Sequence, residues 1–266
     1  MLSSNPTLRD DTFHRYAPGG AVDTYDTEKP DVMTMQGAVN KTLILLAICV
    51  GTSVFSWSAA ASGASYTTPM MIGGAIGGFV VSLITVFKPT WSPFTAPIYA
   101  LLMGLFLGAI SAFYEASFGA GSSQTAGGLP LNGIVVQALG CTLGVTATML
   151  VLYSFRIIKV TEKLKAGICM AAGGVFVFYL VAIVLSFVLP EAYNLLRGAT
   201  PLSIGISFVI VGIASFMLLV DFDRIEQGAR QGAPSYMEWY AGFALLVTLI
   251  WLYLEILRLL AKLRQR

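Results

Sequence analysis

From Pro201 to Val220 the sequence runs for twenty residues without one charged side chain, and then continues as DFDRIEQG. About 20 apolar residues in a helix cross a hydrocarbon core ~30 Å thick. Seven such runs lie near residues 37–58, 69–88, 95–117, 131–153, 166–189, 201–222 and 238–262. None shows the period-two alternation of a membrane β-barrel. Lipid offers the backbone no hydrogen-bond partners, so each run must close its own bonds as a helix. The expected fold is therefore an all-α membrane protein, a seven-transmembrane-helix bundle over residues 37–266, with the lipid bilayer as its first partner.

Composition agrees. Charged residues make up 11% of the 266, against 56% hydrophobic, where soluble domains carry about 25% charged. The first 36 residues differ: Asp10, Asp11, Asp23, Asp26, Glu28 and Asp31 are scattered among Pro, Gly and Thr. That composition predicts a mobile polar tail, and it lacks the basic start and short apolar core of a signal peptide. Gly119–Gly128 (GAGSSQTAGG) reads as a loop.

Seven spans put the amino terminus on the side of the links between spans 2–3, 4–5 and 6–7. Eleven of the sixteen Lys and Arg residues fall on that side and five on the other, counting the carboxyl tail. The positive-inside rule then predicts a cytoplasmic amino terminus. The basic ending KLRQR runs against that rule. Either the seventh run crosses fully and tolerates the late charges, or it dips and returns; a full crossing is expected.

GGAIGG (residues 73–78) pairs Gly73 with Gly77 and Gly74 with Gly78 inside a span, and Gly104 with Gly108 and Gly140 with Gly144 repeat the spacing. Small residues four apart let helices approach closely in lipid, so these are expected to compact the bundle. Cys49, Cys141 and Cys169 sit on three separate spans as free buried thiols without metal-site spacing. The single histidine, His14, is in the tail. No zinc-protease, P-loop or dinucleotide motif occurs, so no catalysis, cofactor, metal site or nucleic-acid partner is expected.

Ionisable groups inside spans are costly and are functional candidates by default. Asp221 is twenty residues past Pro201, about 30 Å along a helix, which places it near the cytoplasmic edge. Arg224, at i+3, is a possible partner, and Asp223 points about 200° away around the axis. Glu255 sits in WLYLEILRLL, with Arg258 at i+3. Glu115, late in span three, is expected at a similar outer depth, so the two glutamates form a candidate outer cation site. Lys41 and Lys88 lie at the cytoplasmic ends of spans one and two, as snorkelling anchors or as basic partners for Asp221. The alternative for every one of these groups is an ordinary wet helix end or local ion pair.

NPTLRDDTF, MTMQGAVNKT, VTEKLKAG, VDFDRIEQG and QGAPSYMEWYAGFALLVTLIWLYLEILRLLAKL, in this order across seven spans, resemble the Bax inhibitor-1 (transmembrane Bax inhibitor motif) family, in its bacterial branch. The resemblance implies a central seventh helix, and a carboxylate pair between helices six and seven that shares a proton. It also implies a pH-sensitive calcium leak, protection from cell death and, through the bacterial branch, a bacterial plasma (inner) membrane. Two close carboxylates cannot both ionise cheaply, so such a pair responds to pH. Asp221 takes the helix-six place. Matching LYLEI to the family's L-Y-L-D pattern gives Glu255 as its partner, whereas aligning the LRLL ending puts Thr248 or Leu246 there. A full seventh span would hold Asp221 and Glu255 about 25 Å apart along the membrane normal; a re-entrant one would bring them together. The expected function is a pH-sensitive calcium or cation leak with Asp221 as proton sensor or gate. The alternative is a non-conducting regulator that binds other membrane proteins through its glycine faces.

Overall fold

The computed structural model describes residues 32–119, 133–158, 160–188 and 198–265. His14, nearly all of the tail, the loop beyond Gly119, Lys159, Arg197 and Arg266 lie outside these residues. Among the described residues, seven helices are long and apolar enough to cross a membrane. They are α1 (Met35–Ala61), α2 (Thr67–Phe87), α3 (Ser92–Phe118), α4 (Ile134–Ser154), α5 (Glu162–Val188), α6 (Pro201–Arg230) and α7 (Tyr236–Arg264). No strand occurs among the described residues; Val32 and Pro234 form a lone bridge.

Local chemistry sets the helix starts. Thr34 is extended and its Oγ1 accepts a bond from the Gly37 amide at 2.9 Å, an N-cap for α1. Thr200 caps α6 by accepting from Ser203 at 3.2 Å, and Pro201 fills the first turn, where its missing N–H costs nothing. The two starts differ in what holds them. Glu238, at the beginning of α7, accepts from both the amide and the hydroxyl of Thr34, each at 2.9 Å. The amino end of α1 is thus fastened to the α6–α7 turn.

Ser92, at the start of α3, donates to the Tyr236 carbonyl at 2.9 Å. The beginnings of α1, α3 and α7 therefore share one end of the bundle, here called the near end. At the far end Arg264 donates to the Phe118 carbonyl and to Gln137, both at 3.1 Å. A helix of 29 residues, about 43 Å long, joins the two ends without a break. The seventh segment is one continuous helix from end to end of the bundle, long enough for a full crossing, and it does not fold back on itself. α7 is also the centre: 56% of its apolar window is buried against 17–44% in the others, and it packs on α1, α3, α4 and α6.

Two glycine pairs are used inside the bundle. A Cβ on Gly74 would come within 2.7 Å of the Leu102 carbonyl oxygen, so α2 and α3 touch backbone to backbone there. Gly104 and Gly108 lie against the Cys49 and Ser53 backbone of α1 in the same way. Gly140 and Gly144 correct the expectation: both are exposed, with nothing within 4 Å of an added Cβ. The cysteines are free, and Cys141 faces outward rather than being buried.

Candidate functional site

α6 continues eight residues beyond the apolar run that announced it, as far as Arg230. Asp221 is therefore not at a helix end but inside α6, with nine residues of helix still to follow. It is buried, and its Oδ2 accepts a 2.6 Å bond from the Thr248 hydroxyl of α7. Thr248 lies twelve residues into α7, about 18 Å from its start. The position reached by aligning the LRLL ending is therefore the one that faces Asp221.

A register follows. Fourteen residues back along α6 from Asp221 is Ser207; fourteen residues forward along α7 from Thr248 is Lys262. Lys262 Nζ bonds the Ser207 hydroxyl at 2.9 Å and that of Ser203 at 2.5 Å. The antiparallel helices thus keep step over about 21 Å. Halfway between, at the level of fully buried Ala214, is Glu255, 2% exposed. Residues seven apart return to nearly the same helix face, so Thr248, Glu255 and Lys262 form one polar stripe along the α6–α7 seam.

Glu255 is held from two directions. Tyr179 of α5 donates to its Oε1 at 2.6 Å, and Arg258 pairs with it at 3.1 Å while also bonding Tyr179 at 2.5 Å. One level of the stripe, about 10 Å, separates it from Thr248. The expected 25 Å gap shrinks because Asp221 sits deep, but a shared proton is still out of reach, and Asp221 and Glu255 do not pair.

The remaining candidates are dispersed. Glu115 and Glu255 do not share a site. Glu115 Oε2 accepts from the Val135 amide at 3.1 Å, placing its charge at the amino end of α4. Its Oε1 is buried with no partner among the described residues. On α3, Ser111, one turn from Glu115, bonds Tyr253 at 2.7 Å. Tyr253 precedes Glu255 by two residues, about 200° around α7, so the two carboxylates address different sides of the central helix. No cluster of three or more metal-ligating side chains occurs among the described residues.

Asp223, turned away from Asp221 as its spacing demands, pairs with Lys165 of α5 at 2.6 Å. Arg224 makes no ion pair with Asp221 and instead reaches Cys169 Sγ at 3.5 Å. Lys41 lies 4.7 Å over the Trp239 ring and Lys88 4.5 Å over Trp91. Both are cation–π anchors at the near end, and the hydrogen bond at Asp221 comes from Thr248.

A sequence-family profile described as Bax inhibitor 1 like matches residues 5–265, nearly the whole chain. The chain belongs to the Bax inhibitor 1 like family. Comparison with curated proteins returns no match. Within this chain, the aspartate of α6 is in buried contact with α7 through the Thr248 hydroxyl.

Sequence reasoning missed Tyr179, Ser203 and Ser207 as partners. The seven-residue spacing of Thr248, Glu255 and Lys262 was a usable signal for the stripe. The partners on α5 and α6 are ordinary Ser and Tyr, which nothing in their own neighbourhoods marks.

Proposed function

We propose that this protein is a pH-responsive cation leak, with calcium as the fitting ion, in which the Asp221–Thr248 contact is the proton-sensitive latch of the α6–α7 seam. The near end faces the cytoplasm in this reading, as the distribution of Lys and Arg favours, and the membrane is the bacterial inner membrane. Family membership supports it, and one observation carries it: a carboxylate buried in the bundle interior is held across the seam by a neutral hydroxyl. An ionised acceptor makes the stronger hydrogen bond, roughly twice a neutral one. Protonating Asp221 therefore loosens α6 from α7 at that level and favours opening. Glu255 is the second carboxylate of the seam, about 10 Å further on, and no covalent chemistry or cofactor is involved.

The test is calcium flux into proteoliposomes across about pH 5.5–8. Wild type should conduct more at the acidic end, and Asp221→Asn should conduct at a level that no longer depends on pH. Flux that ignores pH in the wild type overturns the reading.

A second reading, a non-conducting regulator of other membrane proteins, gains one observation. Gly140 and Gly144 present a small-residue face to the lipid, the kind that accepts a foreign helix. If Gly140→Leu with Gly144→Leu abolishes cellular function while flux is unchanged, the regulator is the better account.

A further inference from the structure

A cleft of about 660 Å³ opens sideways between α1 and α4 at the near end. Both helices lean on α7 but share no substantial contact with each other, so the gap faces the lipid. Its walls are apolar: Val39, Leu43 and Leu46 of α1, Leu150 of α4 and Leu249 of α7. From Met35 at the mouth to Leu46 is eleven residues, about 16 Å of helix. That is half of a hydrocarbon core ~30 Å thick, the depth of one leaflet.

The mouth is polar and most of its charges are already matched. Asp223 is paired with Lys165 and bonded by Gln227. Glu226 takes Arg230 as an ion pair and the Tyr153 hydroxyl as a donor. Arg156 is different. It is exposed and lies close enough to Glu226 to act on it electrostatically; its amide bonds the Tyr153 carbonyl, but its guanidinium makes no hydrogen bond or ion pair among the described residues. Its backbone is left-handed, with φ 52°, a conformation uncommon outside glycine and its few substitutes. An arginine held in this way at the mouth of a leaflet-deep apolar slot is a donor fork for a phosphate.

We propose that the α1–α4 cleft binds an anionic phospholipid of the near leaflet, with its phosphate on Arg156 and one acyl chain between α1 and α4. Basic groups between membrane helices recognise anionic headgroups in this manner. The apolar walls supply affinity for any acyl chain, and Arg156 supplies the preference for the headgroup. This inference stands apart from the leak, because lipid retention in the cleft, which α6 and α7 floor, requires no ion movement.

The experiment is native mass spectrometry of the full-length protein in detergent, titrated separately with dioleoyl phosphatidylglycerol and dioleoyl phosphatidylcholine. The expected result is retention of the anionic lipid at a concentration at least about tenfold lower, the scale of one charge-assisted hydrogen bond. Arg156→Gly should erase that preference without harming the fold, since glycine adopts this backbone without strain. Leu150→Trp, at an exposed position, should weaken both lipids by filling the slot. Equal retention of the two lipids by the wild type, or an unchanged preference in Arg156→Gly, overturns the proposal and leaves only ordinary annular contact.

Discussion

Replacing Thr248 by Val removes the hydroxyl that holds Asp221 and leaves the shape of the seam nearly intact. The bond is 2.6 Å long and buried, with a carboxylate as acceptor. Hydrogen bonds to charged groups contribute about 1.5–3 kcal/mol in proteins generally. Side-chain pairs measured inside membranes average ~0.6 kcal/mol and reach ~1.7 kcal/mol. A loss of about 1–1.5 kcal/mol at neutral pH is the expectation between these ranges. The second Thr248 contact, to the Ala244 carbonyl, is longer at 3.3 Å and contributes less. The assay is reversible unfolding in mixed micelles titrated with sodium dodecyl sulfate and followed by circular dichroism, for Thr248→Val, Asp221→Asn and the double variant. Since the two side chains touch, the cycle should give a coupling of at least about 0.5 kcal/mol. The sign with pH follows from the acceptor. The coupling is largest where Asp221 is ionised, and it falls as acid protonates the carboxylate. A coupling near zero at neutral pH, or one that grows in acid, would refute the latch.

Gly74→Ala should destabilise the bundle by about 1–3 kcal/mol, because its Cβ would meet the Leu102 carbonyl oxygen at 2.7 Å and the Phe106 nitrogen at 3.0 Å. Its neighbour Gly73, with open space, should tolerate Ala unchanged or slightly stabilised; the same unfolding titration compares them. Arg258→Met strands Glu255, which is 2% exposed, and should cost about 3–5 kcal/mol; adding Glu255→Gln should recover much of that loss. Glu115→Ala should cost about 0.5–2 kcal/mol through the lost bond to the Val135 amide, visible as faster amide exchange at the start of α4 and unchanged exchange in α6.

The seven helices were legible because lipid forces a simple relation between apolar length and helix. The end of α6 was not. Hydropathy stops where Asp221, Asp223 and Arg224 begin, yet the helix goes on, because its charged last turns find partners: Lys165 for Asp223, and Arg230 with Tyr153 for Glu226. A local rule cannot foresee partners supplied by α4 and α5. The same holds for the basic ending, which looked out of place on the far side. Lys262 and Arg264 are spent inside the fold, on Ser203, Ser207, Gln137 and the end of α3, so they argue little about orientation. Glycine spacing announced close helix contacts but not their addresses. Gly74 and Gly104 meet other helices, and Gly140 with identical spacing meets none. As for the site, Asp221 was legible from its cost in a span. That its partner is Thr248 rather than Glu255 depends on the α6–α7 register, which only the folded pair defines.

The central claim is that protonation of Asp221 separates α6 from α7. The direct measurement is pulsed electron paramagnetic resonance between spin labels at Phe216, about 8 Å along α6 from Asp221, and Val247, next to Thr248 in α7, both exposed positions. In the wild type the distance distribution should shift by at least about 1–2 Å, the scale of helix shifts in switching proteins, between neutral and acidic pH. In Asp221→Asn it should stay at the acidic value throughout. Distances that are the same at both pH values, in a protein whose calcium flux still responds to pH, would contradict the account and place the sensor elsewhere.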